Sequence, residues 1–75
     1  MSEQERAVLR AMAMSNQLYM DELLRRSGLK QAEFDAAVSK LIADRVVTRA
    51  SAPHGELLYP TLRGDEIIAR EGLAA

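Results

Sequence analysis

Residues 27–49 read SGLKQAEFDAAVSKLIADRVVTR, and this run decides the fold. Ser27-Gly28 is a turn, with Gly28 suited to the left-handed conformation that closes a helix. From about Lys30 to Arg45, apolar residues recur as Phe34, Ala37, Val38, Leu41 and Ile42. That spacing lays one buried stripe along a single helix. Immediately after it, Val46 to Ala50 is rich in β-branched residues and predicts a strand. A turn, a one-faced helix and a strand thus follow one another with no linker between them.

Working outward, Ser2 and Glu5 have capping-box spacing, which predicts a helix from Glu3 to about Met14 with Val8 and Met12 turned inward. Ser15-Asn16-Gln17 is a polar break. Leu18 and Tyr19 lead into a second helix, about Met20 to Arg26, with Asp21 and Glu22 in its first turn, where the helix dipole favours acids. After the strand, the turn formers in Ser51 to Glu56 predict a hairpin loop, and Leu57 to Tyr59 a return strand. Pro60, which has no amide to donate, ends that strand. Thr61 then caps a last helix, about Leu62 to Glu71.

The chain has 75 residues, enough for a single domain spanning 1–75 with one small core. With 48% hydrophobic and 28% charged residues it is globular rather than disordered. It has no cysteine and one histidine, which leaves no ligand cluster for a metal and removes most nucleophile–base pairs. Its glycines are isolated, so no phosphate-cradling loop is present. Glu33 and Asp35, two apart on a helix, point away from each other. These features predict neither enzyme nor cofactor. No apolar run approaches the roughly 18–20 residues of a membrane span, and Met-Ser-Glu-Gln-Glu is acidic where a signal peptide is basic. A cytoplasmic protein is the expectation.

The net charge is −1, which by itself gives no electrostatic case for nucleic acid. Its distribution is uneven. Residues 25–63 hold seven bases against four acids, while the stretches on either side are each net acidic. The bases are Arg25, Arg26, Lys30, Lys40, Arg45, Arg49 and Arg63.

Three pieces of the chain together resemble winged helix-turn-helix domains of MarR-like and PadR-like bacterial regulators. Asp21-Glu22-Leu23-Leu24 followed by Ser27-Gly28-Leu29 is similar to their second helix and turn. Leu41-Ile42-Ala43-Asp44-Arg45-Val46-Val47 is similar to the end of their recognition helix, with Arg45 where a glycine is often kept. Tyr59-Pro60-Thr61-Leu62-Arg63-Gly64 is similar to the element that closes their wing. The resemblance covers nearly the whole chain. It implies an α+β fold of three helices, a two-stranded hairpin wing and a C-terminal helix. It also implies a prokaryotic or phage transcription regulator, usually dimeric, that binds double-stranded DNA. The long dimerisation helices of MarR-like proteins are missing from these 75 residues.

On a helical wheel the direction opposite Phe34 holds Ala32, Ala36, Ser39 and Ala43, so the outward face of helix 30–45 is small rather than basic. Two readings follow. Small side chains let a helix approach base edges, with Ala methyls against thymine methyls and Gln31 against adenine. Arg25, Arg26, Lys30, Lys40 and Arg49 would then rest on phosphates, and His54 at the wing tip would join Arg49 on the DNA. Alternatively, the stripe Ala32, Ala36, Ser39 and Ala43 docks a helix of a protein partner, with no DNA bound.

In the last helix, Leu62, Ala69 and Leu73 share one side, while Ile67 and Ile68 project to others. A short helix with apolar residues on several faces exceeds what one small core buries, and predicts a homodimer contacting through Ile67, Ile68 and Leu73. A two-fold pair would place recognition helices about 34–36 Å apart, one DNA turn.

Overall fold

The computed structural model describes residues 1–15 and 19–73. Its elements run α1 (Glu3–Met14), α2 (Met20–Ser27), α3 (Gln31–Ala43), β1 (Val47–Ala52), β2 (Gly55–Pro60) and α4 (Leu62–Arg70). This is the α+β architecture predicted from the sequence: three helices, a two-stranded antiparallel wing and a C-terminal helix. The predicted polar break and entry to α2 fall partly on residues 16–18, outside the described residues. No helix among the described residues is long and apolar enough to cross a membrane.

The start of α1 follows from Ser2 and Glu5. The Ser2 hydroxyl accepts from the Glu5 amide and the Glu5 carboxylate accepts from the Ser2 amide, each at 3.2 Å. Two otherwise unpaired donors at the helix start are thereby satisfied. Helix α1 then packs against α2, α3 and α4. Val8 and Leu9 meet Leu23, Phe34 and Leu41 in the core, and Leu58 carries the wing into it; all six are fully buried. Arg6 fastens α1 to the end of α4 through Glu71 at 3.0 Å. That hydrogen bond holds the Glu71 carboxyl below its ordinary range.

The end of α3 sets the direction of the wing. The Arg45 amide donates to the Ile42 carbonyl at 3.0 Å and the Val46 amide to the Leu41 carbonyl at 2.9 Å. This is a Schellman motif, with Val46 and Leu41 both buried as its apolar contact. Its left-handed position is held by Arg45 at φ 61°. Helix α4 ends in the same motif, with the Gly72 amide on Ala69, the Leu73 amide on Ile68, and Gly72 at φ 66°. One left-handed position carries the residue that accepts it freely; the other carries a side chain that is strained there.

Past this turn the chain comes back upon itself. The Thr61 amide donates to the Val46 carbonyl at 3.0 Å, and the Thr61 hydroxyl donates to the Arg45 carbonyl at 2.7 Å. The same hydroxyl accepts from the Gly64 amide at 3.1 Å, capping α4. Gly64 is buried against this junction, and a Cβ there would stand 2.2 Å from the Val46 carbonyl oxygen.

Three expectations are corrected. Ser51, Ala52, Gly55 and Glu56 belong to the strands, with Ser51 opposite Glu56 and Ala52 opposite Gly55. The turn is Pro53 and His54 alone, because backbone pairing continues where the side chains turn small and polar. Second, Ile67, Ile68 and Leu73 are 7%, 8% and 7% exposed and form part of the chain's own core. Helix α4 stops at Arg70, and the Schellman turn at Gly72 folds Leu73 back under Ile68. The apolar surplus that pointed to a dimer through these three residues is therefore not there. Third, Leu62 does not share the side of Leu73: it stands 82% exposed at the start of α4.

Two substitutions read the two junctions. Gly64→Ala drives a methyl into a backbone carbonyl that cannot swing away, and is expected to cost at least about 2–3 kcal/mol in urea denaturation. Arg45→Gly relieves the left-handed strain against a smaller entropy loss. It is expected to stabilise by about 0.5–1 kcal/mol, a rise of several degrees in Tm. A lower Tm for Arg45→Gly would show that the Arg45 side chain contributes contacts worth more than its backbone strain.

Candidate nucleic-acid interface

Helix α3 buries Phe34, Ala37, Val38 and Leu41 and leaves Ala32, Ala36, Ser39 and Ala43 exposed. Among the described residues no element of the chain covers that outer face. Where its leading half passes the start of α1, a hollow of about 430 Å³ opens. Ala32, Ala36, Ala37 and Lys40 line it from α3, and Ser2, Gln4 and Glu5 from α1. The first turn of α3 is fastened by Glu33, whose carboxylate accepts from the Lys30 amide at 3.1 Å. Glu33 is thus folded back onto the helix start, where negative charge is favourable. Gln31 and Lys30 stay exposed at this leading end.

Of the predicted phosphate contacts, Arg25, Arg26, Lys40 and Arg49 each hold an acidic partner. Arg25 and Arg26 both bind Glu22, Arg26 at 2.8 Å. Hydrogen bonds from Arg25 and then Arg26 hold the Glu22 carboxyl below its ordinary range, so it stays ionised near neutrality. Lys40 reaches Asp44 at 3.4 Å. Arg49 on β1 pairs diagonally with Glu56 on β2. Lys30 makes no ion pair with any described residue. All the basic partners are substantially exposed, and such pairs are worth only about 0–1 kcal/mol. A phosphate can therefore replace the carboxylate at little cost to the fold, although each acid remains close by.

The predicted residues fall into two groups. Lys30, Gln31, Ala32, Ala36, Ser39 and Lys40 lie together along exposed α3. Arg25, Arg26 and His54 line a second place, a cleft of about 720 Å³ between α2 and the wing tip, shared with Tyr19, Met20 and Glu56. Arg49 adjoins it through Glu56.

Two features of the site escaped sequence reading. Tyr19 forms a bridge with Leu57, tying the approach to α2 onto the wing; one aromatic residue before a helix gives little sign of a strand. The acidic partners were partly readable, since Glu22–Arg26, Gln31–Asp35 and Lys40–Asp44 all have i,i+4 spacing. Arg49–Glu56 needed the register of the wing.

The fold is similar to that of the PcaV transcriptional regulator from Streptomyces coelicolor, solved in complex with its natural ligand. The TM-score is 0.86, with 23% sequence identity over 99% of this chain and 55% of that one. The chain thus spans about half the length of the regulator it matches. The likeness is one of architecture, and the architecture is the winged helix. No family model matches the chain, and no curated protein matches it.

If the acids serve the electrostatics of this surface rather than the fold, removing them should leave stability almost unchanged. Glu56→Gln and Asp44→Asn are each expected to shift the unfolding free energy by less than about 0.5 kcal/mol in urea titrations. A loss of about 2 kcal/mol or more would make the pair a structural tie.

Proposed function

We propose that this chain is the DNA-binding module of a MarR-like or PadR-like transcription regulator, which lays α3 in the major groove and the wing beside it. The observation that carries the proposal is the outer face of α3. It is uncovered, small and continuous, with Lys30 and Gln31 at its leading end, on a scaffold of the winged-helix type. A helix entering a groove needs closeness of approach, and Ala32, Ala36 and Ser39 permit it. The bases around it hold the backbone: Lys30 directly, and Arg25, Arg26, Lys40 and Arg49 by exchanging carboxylate for phosphate. Neither catalysis nor a cofactor enters this reading, and its setting is the cytoplasm, alongside the DNA.

A homodimer belongs to the same proposal. Its contact is sought at exposed Leu62 rather than at buried Ile67, Ile68 and Leu73. The alternative is docking of a protein partner. It draws support from the hollow beside α3, which Ala32, Ala36 and Ala37 make apolar.

Titration of labelled duplex DNA separates the two. With those five bases on phosphates, affinity is expected to fall about 500-fold between roughly 50 and 200 mM salt. Ala36→Glu should abolish binding while leaving helical circular dichroism intact. Light scattering under the same conditions is expected to give twice the 8.3 kDa chain mass. Absence of salt-dependent binding to any duplex would sink the DNA reading and leave the partner-docking face.

A further inference from the structure

Gln31 is exposed in the first turn of α3, and its amide nitrogen donates to the Asp35 carboxylate at 2.9 Å, one helical turn on. A carboxylate only accepts, so the contact fixes which end of the amide faces Asp35: the nitrogen, never the oxygen. If the N–H anti to the carbonyl is the one given to Asp35, Gln31 keeps its syn N–H and its carbonyl oxygen, a donor beside an acceptor. That pair complements the major-groove edge of adenine, whose N6 amino group donates and whose N7 accepts.

We infer that Gln31, held by Asp35, reads an adenine, and that the base pairs met by the leading half of α3 are A·T. This rests on the DNA-binding reading above. Asp35 acts here as a positioning residue and also as a source of discrimination. Guanine presents two acceptors, N7 and O6, to the groove, and an acceptor-only carboxylate next to them repels. Helix α3 contains no arginine, the side chain that most often reads guanine. Its one lysine, Lys40, is turned to Asp44. Beyond Gln31 and the two acids Glu33 and Asp35, the exposed groups of this leading half are the methyls of Ala32 and Ala36, which match the methyl of thymine.

The test is selection from a library of duplexes with a randomised core, using the full chain, followed by sequencing and by titration of the selected site and its single base changes. The expected result is an A·T-rich core with one adenine preferred about tenfold or more over the other bases. Gln31→Ala should lose the preference at that one position and keep it elsewhere. Asp35→Ala frees the amide to turn over and removes a negative charge near phosphates. It should therefore bind DNA more tightly overall while the adenine preference falls several-fold, a combination that a merely structural Asp35 does not produce. Selection of G·C pairs, or a profile unchanged in Gln31→Ala, overturns the inference while leaving DNA binding standing. Retention of no duplex by the wild-type chain removes the parent reading, and this one with it.

Discussion

The molecule turns on the meeting of Thr61 with the carbonyls of Arg45 and Val46. Three elements end or begin within that contact: α3 finishes, β1 starts and α4 starts. The Thr61 amide and hydroxyl satisfy carbonyls of the turn between α3 and β1, and the hydroxyl satisfies a free amide at the start of the next helix. Gly64 lets α4 come within contact of the Val46 carbonyl, where any side chain would stand in the way. The geometry of the wing relative to α3 is therefore set by backbone hydrogen bonds and one missing methyl, not by the apolar core alone. A surface that acts through a helix and a hairpin together depends on such a fixed joint.

The charge pattern has a similar logic. A count along the chain finds an excess of bases between residues 25 and 63, but the folded chain pairs four of those seven bases locally. Glu22 takes two arginines, Asp44 takes Lys40, and Glu56 takes Arg49 across the hairpin. Among the described residues the surface presents these dipolar pairs, with Lys30, Arg45 and Arg63 outside them. Pairs of this kind contribute little to stability. Their effect is to weaken the long-range field that would draw the chain to any polyanion.

Much of the fold was legible because local chemistry and tertiary packing agree. Ser2 with Glu5 marked the start of α1, Gly28 the end of α2, Phe34 to Ile42 the buried face of α3, and Thr61 the start of α4. Failures came where backbone bonding overrides the side-chain pattern. Ser51 and Ala52 have the composition of a loop, yet their backbone groups pair with Glu56 and Gly55. In the sequence Leu73 continues the apolar side of the last helix, but the Gly72 turn ends that helix and reverses the chain. That turn puts Leu73 in the core beside Ile67 and Ile68, which are buried too, so the three residues leave no exposed apolar surface for a dimer. On the candidate site, the small outer face of α3 was legible from periodicity. The acids beside its bases are visible where the spacing is i,i+4, as in Glu22–Arg26 and Lys40–Asp44, but Arg49–Glu56 forms only through the register of the wing.

These elements together bear on how such a surface would discriminate. Non-specific affinity for DNA comes almost wholly from released counterions, and so from free positive charge. A chain of net charge −1, half of whose ten cationic side chains pair with acids among the described residues, has little of that to offer. In the proposed reading, binding then depends on contacts that exist only at a matching site, where close approach of Ala32 and Ala36 and the fixed amide of Gln31 supply what the phosphates do not. The acids that weaken the electrostatic case for DNA from sequence thus become part of the selectivity. On that proposal they would lower affinity for every duplex, and the small face of α3 would restore it only for a duplex whose base edges fit.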